Sequence, residues 1–390
     1  MKIKEDYYIV KEYTEQDILR LGKRHNNNKR TYLLINPLQS KHIPVSPSES
    51  LSMMNTLGEK VSKKYPNAKL VIGFAETATA IGTSVAAALG EDCIYIHTTR
   101  ENIDGSSDWV EFNEEHSHAV EQKLYAENLR HYISKTSEII LVDDELSTGK
   151  TLINIIHQLK DKYPELNSKK VIAASIINRI TSTNIKRLEA EGIICEYLVK
   201  LPDVDYTDAV KSIEIASPLD FINETQHNII TSQIDLPGAF LDPRTGVQIS
   251  EYVESCKKMA NSALSSIQNN FSTDDNILVL GTEEFMYPAI ILGLEIENKG
   301  LVNSVKCHAT TRSPIGVNDS DEYPIKIGYK ITSFYDDTRE TYIYNLKQYD
   351  KIIIVTDSNY APERALNNLS AALAQYGNEK VFFIRGGQNV

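Results

Sequence analysis

The chain has 390 residues, enough for two domains of ordinary size. Lys and Arg number 41 against 53 Asp and Glu, a formal net charge of −12, so no broad cationic surface for nucleic acid or an anionic membrane is expected. The four cysteines, Cys93, Cys195, Cys256 and Cys307, lack zinc-ligand or disulfide-framework spacing, and no run approaches ~18 uninterrupted apolar residues. A reduced, cytoplasmic protein that enters no membrane is expected.

In chain order, residues 21–30 read as a basic polar loop, 31–37 as a short strand and 41–50 as an extended turn marked by prolines. Ser48 or Ser50 can cap a helix running to about Lys64. A regular alternation follows. Strands are predicted over 68–74, 93–99, 138–144, 169–177 and 193–199. Helices are predicted from Thr77 to Leu89, over 121–134, from Gly149 to Lys162 and from Asn184 to Glu191, with a polar loop or hairpin over 100–120. This rhythm predicts an α/β domain, a parallel sheet flanked by helices. Residues 201–245 contain Pro202, Pro218, Pro237, Gly238 and Pro243 and read as a connection, with the boundary between domains 1–235 and 236–390. Beyond it come a helix over 247–269, a strand over 276–281, a helix to about Asn298 and a strand over 302–308. A polar stretch to about Tyr349 precedes a strand over 351–357, a helix from Pro362 to Tyr376 and a strand over 380–386.

The second half echoes the first. LVIGFAET (70–77) corresponds to LVLGTEEF (278–285), HTTRENI (97–103) to HATTRSPIG (308–316), and the segment from Glu138 to that from Lys351. A near-constant separation of about 210 residues is domain-sized, which points to a duplicated fold rather than a solenoid.

The segment most specific for chemistry is VDDELSTGKT, Val142 to Thr151. An apolar strand ends in two acids, a short hydroxyl-rich loop follows, and a helix begins near Gly149. The loop amides and the helix start suit a phosphate. Ser147, Thr148 and Thr151 add donors, and Asp143 and Asp144 can accept hydrogen bonds from two ribose hydroxyls. The ending Gly149-Lys150-Thr151 mimics a Walker A loop, but that motif needs a glycine where Asp144 stands. Helix capping alone would need one acid, not two.

VDDELSTGKT resembles the phosphoribosyl pyrophosphate signature of type I phosphoribosyltransferases such as orotate phosphoribosyltransferase. GFAETATAIG (73–82), HTTRENI (97–103) and EFNEEHSHA (111–119) resemble the orotate-phosphoribosyltransferase-like proteins associated with tellurium-resistance gene clusters. Thr311-Arg312-Ser313-Pro314 resembles the signature of the C-terminal TRSP domain that accompanies them. The resemblance runs from about Lys41 to Phe383. It implies a type I phosphoribosyltransferase fold with a hood, then a related but degenerate α/β domain. It implies transfer of ribose 5-phosphate from phosphoribosyl pyrophosphate to a nitrogenous acceptor, with Mg²⁺ bound mainly through substrate and Asp143 and Asp144 as its protein candidates.

Carried over by residue, Asp143, Asp144 and Arg100 become the catalytic candidates, Arg100 neutralising the departing pyrophosphate or standing as a surface arginine. Glu145, Leu146, Ser147, Thr148, Gly149, Lys150 and Thr151 become the ribose-phosphate segment. Phe74, Ala75, Glu76 and Thr77 fall in the pyrophosphate loop, where Glu76 either acts through Mg²⁺ or caps the next helix. Lys41 and His42, in a hood over Thr31 to Val45, are acceptor candidates. His116 and His118 read as part of a lid, since a zinc site would lack further ligands, and Trp109 as its anchor. In the second half Asp357 keeps one acid, the Thr-Gly pair is lost and Pro362 stands where phosphate-binding amides should be. Arg312 and Ser313 either bind an anion or form a turn. The other classes that fit are a non-catalytic phosphoribosyl pyrophosphate sensor and a scaffold in a multi-protein assembly. A homodimer is compatible with all three.

Overall fold

The structure, a computed structural model, describes residues 11–25, 31–103, 107–113, 120–222, 229–359 and 363–387. The elements run α1 (Glu15–Ile18), β1 (Arg20–Lys23), β2 (Tyr32–Ile35), α2 (Pro47–Lys64), β3 (Ala68–Gly73), α3 (Thr79–Leu89), β4 (Ile94–His97), β5 (Trp109–Asn113) and β6 (Val120–Tyr125). Next come α4 (Leu129–Ser134), β7 (Glu138–Leu146), α5 (Lys150–Lys162), β8 (Lys170–Asn178), α6 (Ser182–Ala190) and β9 (Ile193–Lys200). They are followed by α7 (Thr207–Lys211), β10 (Leu219–Asp220), β11 (Ile230–Ala239), β12 (Val247–Gln248), α8 (Ile249–Ile267), β13 (Asn276–Gly281), α9 (Tyr287–Asn298) and β14 (Ser304–Ala309). The last are β15 (Gly328–Thr332), β16 (Glu340–Tyr344), β17 (Lys351–Thr356), α10 (Glu363–Ala374) and β18 (Val381–Gly387).

Two compact units form. Among the described residues, the first comprises 11–15, Leu51–Asp203 and Leu241–Ser255, and the second Gln16–Ser50, Val204–Phe240 and those from Cys256 to 387. Both are discontinuous, whereas the sequence reading cuts the chain once at 235/236. Backbone pairing is the reason. Arg24 bridges Ile315, Val45 bridges Cys307 and Ala216 bridges Val317. β10 pairs with β15, and β11 with β18.

In the first unit the sheet order is β12-β4-β3-β7-β8-β9, with β4 to β9 parallel. Ile139 to Val142 are buried on both strand faces, as a central parallel strand requires. Leu70, Ile72, Leu141, Ile155, Ile156 and Leu159 belong to the core beneath the site. The antiparallel hairpin β5–β6 lies between β4 and β7 in sequence.

The second unit repeats this order. Its main sheet runs β14-β13-β17-β18-β11, all parallel, against β4-β3-β7-β8-β9. A hairpin, β15–β16, again intervenes between the second and third core strands. The match extends to single hydrogen bonds. Thr98 N–H donates to the Gly73 carbonyl at 2.9 Å, and Thr310 N–H to the Gly281 carbonyl at 3.1 Å. Thr99 and Lys123 exchange backbone bonds, as do Thr311 and Tyr342. The duplication read from the sequence is therefore visible in strand order and register.

Three expectations are corrected. Residues 120–125 form β6 rather than the start of a helix, which occupies only Leu129–Ser134. The supposed connection contains β11, a ten-residue strand that fills the edge position held by β9 in the first unit. Pro237 disguised it; proline is tolerated there because an edge strand has a side without ladder bonds. The start of the supposed basic loop, residues 21–23, lies in β1. Among the described residues no helix is long and apolar enough to cross a membrane, and the four cysteines are free thiols.

Candidate active site

β7 carries its extended backbone through Asp143, Asp144 and Glu145 before the chain turns at Ser147. Gly149 sits at φ 73°, the left-handed conformation, immediately before α5. Glycine is required twice over: the positive φ disfavours a side chain, and a Cβ would lie 2.9 Å from Leu188 Cδ1. This turn brings the first amides of α5 to the end of β7. Thr148, Lys150 and Thr151 are exposed, Ser147 is half-buried and Leu146 packs into the core. Lys150 N–H donates to Thr148 Oγ1 at 3.4 Å.

Asp143 and Asp144 are half-buried side by side. Asp144 N–H donates to Asp143 Oδ1 at 2.9 Å. Burial first, and the Asp144 charge second, hold the Asp143 carboxyl well above the usual carboxylate range. Two adjacent acids, one reluctant to ionise beside the other, are a setting that a divalent cation relieves, and their all-oxygen donor set suits Mg²⁺. Among the described residues no three His, Cys, Asp or Glu side chains gather as a metal site, so most ligands of such an ion would come from water and substrate. Glu145 differs from its neighbours: its carboxylate accepts from Arg179 Nε, so only its backbone faces the role expected of it.

The loop after β3 lies beside these acids. Thr77 Oγ1 donates to Asp144 Oδ1 at 2.9 Å, joining the pyrophosphate-loop candidates to the ribose candidates. Ala75 N–H donates to Thr98 Oγ1 at 2.8 Å, and Thr98 Oγ1 donates to Gln122 Oε1 at 2.5 Å. Thr98 is fully buried, so the loop backbone is fixed to the hairpin through one hydroxyl. Phe74, Ala75 and Glu76 are buried and Thr77 is half-buried. The helix starts at Thr79 rather than Thr77, with Ala78 as its N-cap and no side-chain cap, so Glu76 does not cap it. Close packing shapes the loop: a Cβ at Gly73 would meet Tyr95 Oη at 2.9 Å.

Arg100, just beyond β4, is exposed. The hairpin is anchored by Trp109, which packs edge-on to Tyr125 with Lys123 Nζ 4.6 Å above its ring. His116 and His118 lie outside the described residues, as does Pro362.

Residues 18–200 match the family model described as phosphoribosyl transferase, and residues 242–373 match the TRSP domain that lies C-terminal to it. Residues 18–200 are a domain of this phosphoribosyl transferase family, and a TRSP domain follows it. No curated protein matches it. Similar solved structures include adenine phosphoribosyl transferase from Trypanosoma brucei, solved with AMP, pyrophosphate and ribose-5-phosphate, at 15% identity, covering 46% of this chain and 86% of that one, TM-score 0.30. APRTase from Giardia lamblia shows 13% identity, 47% and 93% coverage and TM-score 0.33. Xanthine-guanine-hypoxanthine phosphoribosyltransferase from Helicobacter pylori shows 16% identity, 38% and 82% coverage and TM-score 0.22. The family models alone decide the assignment.

The remaining candidates fall in the second compact unit. Arg312 Nε donates to Glu283 Oε2 at 2.7 Å. Ser313 is half-buried, and its carbonyl accepts from Tyr344 Oη at 2.7 Å. Lys41 and His42 are buried, at 1% and 3% exposure. His42 has no hydrogen-bond partner on either ring nitrogen, and its ring lies edge-on to Tyr344 at 6.3 Å. Sequence reasoning missed Thr98, Gln122, Arg179 and Glu283; the TTR coincidence at 98–100 and 310–312 was the signal for Thr98.

Burial lowers the His42 imidazole well below its usual range, with Lys41, His308 and Arg24 adding to the effect. Burial also lowers His308 to about 4, against a hydrogen bond to the Tyr344 carbonyl that raises it. The sign follows from linkage. Above pH ~6.5 both residues are neutral folded and unfolded; below it the unfolded chain takes up protons that the folded chain refuses. Stability should therefore fall between pH ~6.5 and ~4, by roughly 3 kcal/mol from His308 alone. Urea midpoints measured from pH 7 to 4.5 should drop more steeply for wild type than for the His42→Leu/His308→Gln variant. Parallel slopes would contradict the assignment of neutral buried imidazoles.

Proposed function

We propose that this protein transfers ribose 5-phosphate from phosphoribosyl pyrophosphate to a nitrogenous acceptor and releases pyrophosphate, in the synthesis of a nucleoside-like metabolite. The observation that carries the reading is the run from Asp143 to Lys150: two acids near the carboxyl end of a central parallel strand, then a loop whose left-handed Gly149 precedes a helix. The loop and helix amides suit the 5-phosphate, and Ser147, Thr148 and Thr151 add hydroxyl donors. Asp143 and Asp144 accept from the two ribose hydroxyls and orient C1. The backbone from Phe74 to Thr77 receives the pyrophosphate, with Arg100 as added positive charge.

The C1–oxygen bond to pyrophosphate breaks ahead of attack, leaving an oxocarbenium-like carbon. The lone pair of the acceptor nitrogen forms the new bond, and the nitrogen releases its proton to solvent. Mg²⁺, when bound, neutralises charge on the leaving pyrophosphate. The hairpin following Arg100 keeps water from the donor.

The test is pyrophosphate release from phosphoribosyl pyrophosphate with a panel of purine and pyrimidine bases. Release that depends on a base supports transfer; a folded protein that releases none with any nitrogen heterocycle counts against it. A sharper prediction concerns Thr98. Thr98→Val leaves the buried Ala75 N–H without its acceptor, a loss of ~1–3 kcal/mol. KM for phosphoribosyl pyrophosphate should rise about tenfold or more, with a smaller change in kcat. An unchanged KM would mean that the Ala75 amide does not position the loop.

A further inference from the structure

The duplicated units differ at one informative position. Ala75 in the first unit and Glu283 in the second occupy the same backbone site: each follows the first core strand by two residues, and each N–H donates to the threonine after the second core strand, Thr98 at 2.8 Å and Thr310 at 3.0 Å. Arg100 and Arg312 likewise correspond, each two residues beyond that threonine. In the first unit this loop and arginine are the pyrophosphate candidates. In the second unit the loop itself supplies a carboxylate.

Glu283 is fully buried and has φ 47°, a conformation uncommon for a residue with a side chain. Arg312 Nε donates to its Oε2 at 2.7 Å, Arg339 lies 3.7 Å from the same oxygen, and Ser333 Oγ donates to Oε1. Arg339 also donates to Ser333 Oγ, at 3.0 Å from a terminal nitrogen. These are the partners an oxyanion takes: two guanidinium groups and a hydroxyl, at the carboxyl ends of parallel strands. Asp336 also feels this charge; the Thr338 hydroxyl first, then Arg339 and Arg312, hold its carboxyl below the usual range. Excising Glu283 removes the carboxylate that pairs with both of these arginines. The acid of the ribose loop is similarly engaged, since Tyr335 Oη donates to Asp357 Oδ1 at 2.6 Å.

We infer that the TRSP unit retains the oxyanion site of the duplicated fold and that its own Glu283 carboxylate fills it in place of a phosphate or free carboxylate. The arginine of the TRSP sequence holds an internal anion, and the wild-type second unit does not bind pyrophosphate. This stands apart from the proposed transfer reaction, which concerns the first unit.

The test is titration with inorganic pyrophosphate and inorganic phosphate, in a background carrying Asp143→Asn and Asp144→Asn. Adding Glu283→Ala should create a site at least tenfold tighter than the parent, lost again on adding Arg312→Gln. Acetate, which replaces the excised carboxylate, should raise the melting temperature of the Glu283→Ala protein and not of the parent. If Glu283→Ala does not fold, Glu283→Gly serves: it also empties the site, suits the positive φ of this position, and should show the same anion-dependent rise in melting temperature. Two results would overturn the inference: Arg312-dependent pyrophosphate binding with Glu283 intact, or no gain of Arg312-dependent binding or anion stabilisation in a folded Glu283 variant. Binding to the wild-type first unit is read separately, so failure there leaves these outcomes distinct.

Discussion

Replacing both Asp143 and Asp144 with asparagine is expected to reduce turnover by about a thousandfold or more while leaving the protein folded. The two carboxylates lie near the carboxyl end of β7, and the role proposed for them is charge: accepting strongly from ribose hydroxyls and holding a cation near the leaving group. Asparagine keeps the volume and one acceptor but removes that charge. Stability should move the other way. Burial and the Asp144 charge raise the Asp143 carboxyl above its unfolded value. A raised carboxylate contributes stability only below the unfolded pKa, and loses it as pH rises through the folded pKa. At neutral pH the aspartate is therefore a liability that asparagine removes, and the melting temperature should be unchanged or higher. Turnover within tenfold of wild type would reject the site. Loss of folding would reject the account of Asp143 as a strained, functional acid.

The second large effect is expected from Arg312→Ala. Glu283 is completely buried, and Arg312 is its shortest charged contact at 2.7 Å, with Arg339 at 3.7 Å. Taking away one partner leaves a buried carboxylate undercompensated, which typically costs ~3–5 kcal/mol. Chemical denaturation should show a loss of this size. Adding Glu283→Gln to Arg312→Ala should recover a large part of it, because a neutral amide needs no counter-charge. A loss under ~1 kcal/mol would mean that Arg339 and Ser333 suffice for Glu283.

Both predictions rest on features of unequal visibility in the sequence. The core strands were legible because parallel strands buried on both faces appear as continuous apolar runs: Ile139 to Val142 and Ile352 to Val355 could hardly be anything else. The ribose-phosphate segment was legible because two acids, hydroxyl residues and a glycine meet in a short span, and Gly149 adopts the left-handed turn that such a span needs. The first hairpin was legible only as one of two alternatives, and β11 was read as a connection because its exposed Thr231, Gln233 and Asp235 resemble a loop and Pro237 broke the pattern further. The Glu283 network was beyond reach for another reason. Its members come from after β13, after β14 and the turn between β15 and β16, and no local pattern brings Glu283, Arg312, Ser333 and Arg339 together. His42 follows β2 in sequence, and no local pattern there shows that its ring lies edge-on to Tyr344, about 300 residues later.

The most direct test of the central claim is calorimetric titration of the intact protein with phosphoribosyl pyrophosphate, with and without Mg²⁺, beside the Asp143→Asn/Asp144→Asn variant. The account predicts binding by wild type that tightens with Mg²⁺ and is lost in the folded variant. A folded wild type that shows no binding, with Mg²⁺ and a panel of bases present, would contradict it and favour a scaffold role for the family's fold in this chain.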